Sequence, residues 1–205
     1  MPLPWIVGGI AVAGGLAALY SWLSDDDDKN TDQNTTRKPT KDTLLLLGET
    51  AAGKDTLIHI LAGKVFANDY TATATHDRTG VHINNLLVHN TSGSTMEAVL
   101  RSKEELKDEL QRYKDKVFLA YVFNADEYKT NKKIHYGIGN CINETKGRGF
   151  KRCLAIGTRG DKILAGEKTK IENEIRQRGL ECSIFDMTKS PKNEIKDFIQ
   201  KVVKQ

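Results

Sequence analysis

Little in the composition is extreme, and its shortages already exclude several classes. Cysteine occurs three times in 205 residues, at Cys141, Cys153 and Cys182. An odd number without metal-ligand spacing argues against a disulfide scaffold or a zinc module, and suits small buried residues in a reducing compartment. Neither sign of charge dominates: the formal net charge is +4, too mild to require a nucleic-acid partner, and none is expected. Two local basic clusters exist, Lys129, Lys132 and Lys133, then Lys146, Arg148, Lys151 and Arg152. They read as solvated surface, with contact to anionic lipid or RNA as the sharper alternative.

One stretch lacks charge altogether. Pro4 to Leu23 is a run of 20 uncharged positions. At about 1.5 Å per residue, a helix of that length matches the roughly 30 Å of a bilayer core. Trp5 lies near one end and Tyr20 and Trp22 near the other, where amphipathic rings favour the membrane interface. Gly9, Ala13 and Ala17 put small residues on one helical face, a weak sign of helix association. No Lys or Arg precedes the run, which favours a retained anchor over a cleaved signal peptide. Lys29, Arg37, Lys38 and Lys41 follow it, which favours a cytoplasmic C-terminal side. The expected organisation is a transmembrane anchor over 1–24, a flexible polar linker over 25–41 containing Asp25 to Asp28, and one domain over 42–205.

What is present in that domain begins with Leu44-Leu45-Leu46-Leu47, an apolar run that suits a buried parallel strand. It leads into Gly48-Glu49-Thr50-Ala51-Ala52-Gly53-Lys54 and then a helical pattern through Leu57, Ile58, Ile60 and Leu61. Strand, Gly-x4-Gly-Lys turn and helix together form a phosphate-binding P-loop pattern. The glycines let consecutive N–H groups curl inward, the helix offers its positive end, and Lys54 adds a cation for the outer phosphates. One position departs from the pattern. The residue after the lysine is Asp55 rather than a Mg2+-ligating hydroxyl, and Thr56 is displaced by one.

Beyond the P-loop helix, expected over 54–65, strand-like 69–75 precedes a strand over Val81 to His89. The spacing of Met96, Val99, Leu100, Leu106, Leu110 and Tyr113 predicts a helix over 96–116. Val117 to Phe123 is an apolar strand, and a polar, partly helical stretch runs to Gly149. Cys153 to Gly157 is a further strand, followed by a helix that stops at Gly179. A last strand, Glu181 to Phe185, precedes a closing helix from about Pro191 with Ile195, Phe198, Ile199 and Val202 on one face. Strands alternating with amphipathic helices predict a mostly parallel α/β sheet flanked by helices, a P-loop NTPase, with its site at the strands' C-terminal edge.

Four strand ends carry, in order, Gly48 to Thr56, Asn90-Thr91-Ser92-Gly93, Thr158-Arg159-Gly160-Asp161 and Asp186-Met187-Thr188-Lys189. Over residues 42–205 their order and spacing resemble the G domain of small GTPases, Ras-like and Arf-like, and the P-loop is particularly similar to the Arf type. The resemblance implies GTP or GDP as ligand, with Mg2+ as its companion ion. It implies contacts from Gly48, Ala51, Ala52, Gly53, Lys54, Asp55 and Thr56 to the phosphates, and from Gly93 in the second motif. Asp161 would accept the ring N–H and amino group of guanine, a fork that adenine cannot satisfy. Thr158 would tie that loop to the P-loop, Arg159 would lie along the base where Lys is usual, and Thr188 and Lys189 would back the base edge. A helix N-cap is the lesser alternative for Asp161, and one residue could do both. Thr71, Thr73 and Thr75 are all candidates for the switch threonine.

Three departures from the family pattern cluster at the hydrolytic centre. Asp55 replaces the hydroxyl on the metal, Asn90 replaces the Asp of the metal shell, and Ser94 follows Gly93 where a water-orienting glutamine is usual. The single carboxylate of the shell has in effect moved from 90 to 55, so Asp55, Thr56 and Asn90 are the candidate metal residues. Efficient intrinsic hydrolysis is not expected. The reading is a membrane-anchored, switch-like GTP-binding protein with weak or partner-dependent hydrolysis, an unknown effector or regulator, and segments 66–80 and 93–97 ordered by nucleotide. Two alternatives stand beside it: a pseudo-GTPase scaffold at a membrane, and a P-loop nucleotide kinase. The kinase would need a lid of arginines from 126–152, where Arg148 and Arg152 are the only candidates.

Overall fold

The computed structural model describes residues 42–64, 81–90, 116–146, 150–189 and 191–205. The proposed anchor 1–24, the whole linker 25–41, the threonines at 71, 73 and 75, the helix expected over 96–116 (save Lys116), Gly93 and Ser94 lie outside these residues. Among the described residues no helix is long and apolar enough to cross a membrane.

Six strands form one sheet: β1 (Asp42–Leu47), β2 (Val81–Ile83), β3 (Leu86–Asn90), β4 (Val117–Asn124), β5 (Arg152–Thr158) and β6 (Glu181–Ile184). Their spatial order is β2-β3-β1-β4-β5-β6. All pairings are parallel except β2 with β3, which are antiparallel. The helices are α1 (Lys54–Leu61), α2 (Lys132–Lys146), α3 (Ala165–Gln177) and α4 (Lys192–Lys204).

The four-leucine run is explained by helices on both faces. Successive strand side chains point to opposite sides. Leu45, Leu47, Leu119, Tyr121 and Phe123 therefore join Ile134 and Ile138 of α2 and Ile171 and Ile175 of α3 in one core. Leu44, Leu46, Phe118, Ala120 and Val122 join Leu57 and Ile60 of α1 and Ile195 and Ile199 of α4 in the other. Strand β4 is buried along its whole length, as a central strand covered on both faces must be.

Two expectations need correction. Val81 to His89 is not one strand. Ile83 pairs with Leu86, so the chain reverses at Asn84-Asn85, and Asn84 takes a left-handed φ of 54° that asparagine tolerates better than most residues. Helix α1 ends at Leu61 rather than 65. Gly63 adopts φ 80°, its N–H donates to Ile60 O and that of Lys64 to His59 O, a glycine-terminated stop. The polar stretch after β4 is helical in part, as expected: α2 spans 15 residues. Its Gly137 faces Tyr121 so closely that an added Cβ would lie 2.3 Å from the ring, so the glycine that weakens helix propensity here is what permits the packing.

Helix α3 stops as expected, with Gly179 at φ 94°. It also covers an exposed edge. Strand β6 ends the sheet, yet Ile184 N–H donates to Glu172 Oε1 at 2.8 Å and Arg176 donates to Cys182 O at 2.6 Å. Side chains of the flanking helix thereby occupy backbone groups that would otherwise invite another strand.

Candidate functional site

Among the described residues, the segments singled out by the sequence (Gly48 to Thr56, Asn90, Thr158 to Asp161 and Asp186 to Lys189) lie at or beside the C-terminal ends of the parallel strands. The loop after β1 curls because two glycines adopt conformations that side chains resist: Gly48 at φ 148° and Gly53 at φ 89°. At Gly48 an added Cβ would lie 2.1 Å from Val122 O, so the loop presses against β4 as well as turning. Ala51 is also left-handed, at φ 63°. Lys54 opens α1 and folds back into the loop, donating to Gly48 O at 2.8 Å and Glu49 O at 2.9 Å. Burial holds its ammonium below the usual lysine range, opposed by the negative charges of Asp55 and Glu49. A buried cation at the positive end of a helix, inside a curled loop, is an arrangement that an anion stabilises.

The loop after β5 is locked to this one. The Thr158 hydroxyl is buried and lies 2.9 Å from Ala52 O and 3.2 Å from Phe123 O, two acceptors sharing its proton. Its methyl approaches Gly53: a Cβ there would sit 2.9 Å from Thr158 Cγ2. Arg159 then takes φ 56°, and Asp161 lies in a short 3-10 turn, Gly160–Lys162. Asp161 caps no helix, since α3 begins at Ala165 behind Leu164. Its carboxylate is 3.6 Å from Lys162 Nζ. The loop after β6 packs against it, with Gly160 N–H donating to Phe185 O at 2.9 Å. There Thr188 and Lys189 are exposed, and both turn toward Asp186. The Thr188 hydroxyl and N–H donate to its carboxylate at 2.5 and 3.1 Å, and Lys189 lies at 3.1 Å. The Thr188 hydrogen bond leads in holding this carboxyl below its ordinary range.

On the other flank, Asn90 at the end of β3 donates its side-chain amide to Asp55 Oδ1. The two departures from the metal-binding pattern are thus in contact. Thr56 follows on α1, half-buried. Asn90 Oδ1 is buried and, among the described residues, has no hydrogen-bond partner, a state costing about 1–3 kcal/mol for such a group. These residues fit a hard divalent cation, which prefers oxygen ligands. Among the described residues no group of three or more His, Cys, Asp or Glu side chains surrounds a metal position. Mg2+ usually takes few protein ligands, with phosphate and water oxygens the rest.

Sequence reasoning missed the wall behind the P-loop. A small open recess is lined there by Glu49, Ala51, Tyr121, Asn124, Glu127 and Asn131 among others. Glu127 collects Asn124 Nδ2 at 2.7 Å and Asn131 Nδ2 at 3.1 Å. The signal existed: Asn124 and Glu127 are spaced as a reciprocal cap, and Asn124 Oδ1 accepts from Asp126 N–H. Arg152 is placed where a phosphoryl-clamping lid is not. It begins β5, at the opposite edge from the P-loop, and donates to Val202 O and Gln205 near the C-terminus.

The strand order with its single antiparallel edge, the curled loop after β1 and the loop after β5 together make this a P-loop GTPase fold. The solved structures it resembles include a point variant of Era from Aquifex aeolicus bound to GDP.AlF4-, with 17% identity and TM-score 0.51 over 80% of this chain and 57% of that one. A GTP-binding protein from the archaeon Sulfolobus solfataricus in complex with GDP gives 15% and 0.50 over 80% and 53%. A variant of SsGBP gives 16% and 0.51 over 80% and 55%. This chain thus spans a little over half the length of each, and identities so low speak for the fold alone. No protein-family model matches the chain, and no curated protein matches it.

Proposed function

We propose that this protein binds GTP and GDP through the P-loop and the Thr158–Asp161 loop, and acts as a nucleotide-dependent switch with slow or partner-stimulated hydrolysis. One observation carries the reading: the Thr158 hydroxyl joins the phosphate-type loop to the loop bearing Asp161 through Ala52 O. A phosphate cradle and a base-reading carboxylate are thereby held at one sheet edge. Gly48, Ala51, Ala52, Gly53, Lys54 and Thr56 would line the phosphates, Asp161 would take the guanine N–H fork, Arg159 would lie along the ring, and Thr188 and Lys189 would back it. The GDP complexes among the resembling structures support the same ligand class.

The uncharged run from Pro4 to Leu23 supports a membrane anchor, with this domain on the cytoplasmic side. The kinase alternative loses Arg152 as a lid residue. The scaffold alternative retains one supporting observation, the changed charges at 55 and 90.

Calorimetry of the detergent-solubilised full chain with GDP, GTP and ATP tests the reading. GDP is expected to bind and ATP to fail. Asp161→Ala is expected to weaken GDP by about tenfold or more, the discrimination a paired hydrogen-bonding site provides. A protein that stays empty at millimolar GDP, or takes ATP equally, refutes it.

A further inference from the structure

Resting on that reading, the geometry points to Asp55 and Asn90 acting as one metal-orienting unit, in which the amide of Asn90 holds the Asp55 carboxylate toward the cation and its own carbonyl oxygen accepts a metal-bound water. The usual division of labour, a hydroxyl on the helix and a carboxylate on the strand end, is here inverted across a hydrogen bond.

Three facts support the assignment. Asn90 Nδ2 donates to Asp55 Oδ1. With the amide turned the other way its oxygen would face a carboxylate, acceptor against acceptor, so the charge on Asp55 fixes which end of Asn90 points away. The end that points away, Oδ1, is buried and without a partner among the described residues. A buried acceptor beside a carboxylate suits a donor that arrives with a ligand, and a water polarised by a divalent cation is such a donor. Asp55 also lies in the first turn of α1, two residues past the left-handed Gly53, where negative charge is favoured even without metal. The carboxylate can therefore wait in place between nucleotide cycles. Asn90 is a positioning residue here, since it reaches the metal only through Asp55 and a water.

The test uses GDP and Mn2+ on the detergent-solubilised full chain, reading free Mn2+ by electron paramagnetic resonance and GDP affinity by calorimetry in Mg2+ and in EDTA. The wild type should bind GDP at least about tenfold more tightly in Mg2+ than in EDTA, and Asn90→Ala should cost roughly 10–100-fold in Mn2+ affinity, the usual effect of removing a supporting partner. Asp55→Asn should bring the Mg2+ and EDTA affinities together. The charge-swapped double variant Asp55→Asn with Asn90→Asp keeps one amide and one carboxylate in contact and should recover metal dependence. That rescue separates metal orientation from folding damage. GDP binding that is indifferent to metal in the wild type, or unchanged Mn2+ affinity in Asn90→Ala, overturns the unit while leaving nucleotide binding intact. Failure of the wild type to bind GDP under either condition removes both.

Discussion

Replacing Thr158 with valine keeps the shape of a buried side chain and deletes one hydroxyl. That hydroxyl sits between Ala52 O at 2.9 Å and Phe123 O at 3.2 Å, so the variant loses the tie between two loops and leaves those carbonyls short of a donor. A hydrogen bond of this kind contributes about 1 kcal/mol net, and an unsatisfied buried acceptor costs about 1–3 kcal/mol. Burying a methyl in place of the hydroxyl returns at most about 0.8 kcal/mol. The expected loss is therefore about 1–2 kcal/mol, or a Tm lower by roughly 3–6 °C for a chain of this size. Nucleotide affinity should fall as well, because the base loop is no longer pinned to the phosphate loop; about tenfold corresponds to 1.4 kcal/mol of that same tie. Thermal unfolding and GDP calorimetry measure the two losses. Thr158→Ser is the control: it keeps the hydroxyl and removes the methyl that approaches Gly53. Equal GDP affinity in the serine and valine variants would refute the proposed coupling, whatever happened to stability.

Gly48→Ala places a Cβ 2.1 Å from Val122 O at φ 148°, so it should cost about 3 kcal/mol or more or prevent folding, visible by urea unfolding. Glu172→Ala removes the acceptor of Ile184 N–H at the sheet edge; an expected loss of about 1.5–3 kcal/mol should accompany concentration-dependent self-association in light scattering. Burial and the hydrogen bond to Glu174 push the Tyr128 phenol up to about 12 from its ordinary 10.0. The neutral form it favours is fully stabilising below pH 10 and lost as pH rises through about 12. Tyr128→Phe should therefore flatten the decline in stability across that alkaline window, followed by circular dichroism.

Much of the fold could be read from the sequence because its strands are buried on both sides and their ends carry glycines. The leucine run of β1 and the apolar Val117–Phe123 stretch suit covered central strands, and both are buried in the sheet. The features that escaped depend on partners far along the chain. Helix α2 carries Gly137 and Gly139, which weaken its local pattern, and only Tyr121 of β4 explains why a glycine sits at 137. Asn84-Asn85 is a turn signal inside an otherwise continuous apolar pattern, and it becomes decisive only once Ile83 and Leu86 are seen paired. Asp55 and Asn90 were legible as two departures at separate positions. Their contact, across 35 residues of sequence, required the parallel pairing that sets Leu46 beside Asn90.

The two flanks of the P-loop answer to different forces, and this bears on what a ligand would change. On the base side, Thr158, Gly53 and Gly160 hold their neighbours by backbone hydrogen bonds and contacts too close for a Cβ, so that flank is formed before any nucleotide arrives. On the phosphate side the groups are charged and only partly compensated. Lys54 is buried with two carbonyl oxygens as its hydrogen-bond acceptors and an ammonium held below the usual lysine range, and Asn90 Oδ1 has no partner among the described residues. A polyphosphate with its cation would supply what both lack: anionic oxygens for the lysine, and a polarised water for the amide. Under the proposed reading, binding energy drawn from that side would be released only when phosphate and metal come together, whereas the base side would contribute to any guanine ligand. A guanosine with no phosphate should therefore be bound weakly and without regard to metal, and adding the diphosphate should introduce affinity and metal dependence in the same step.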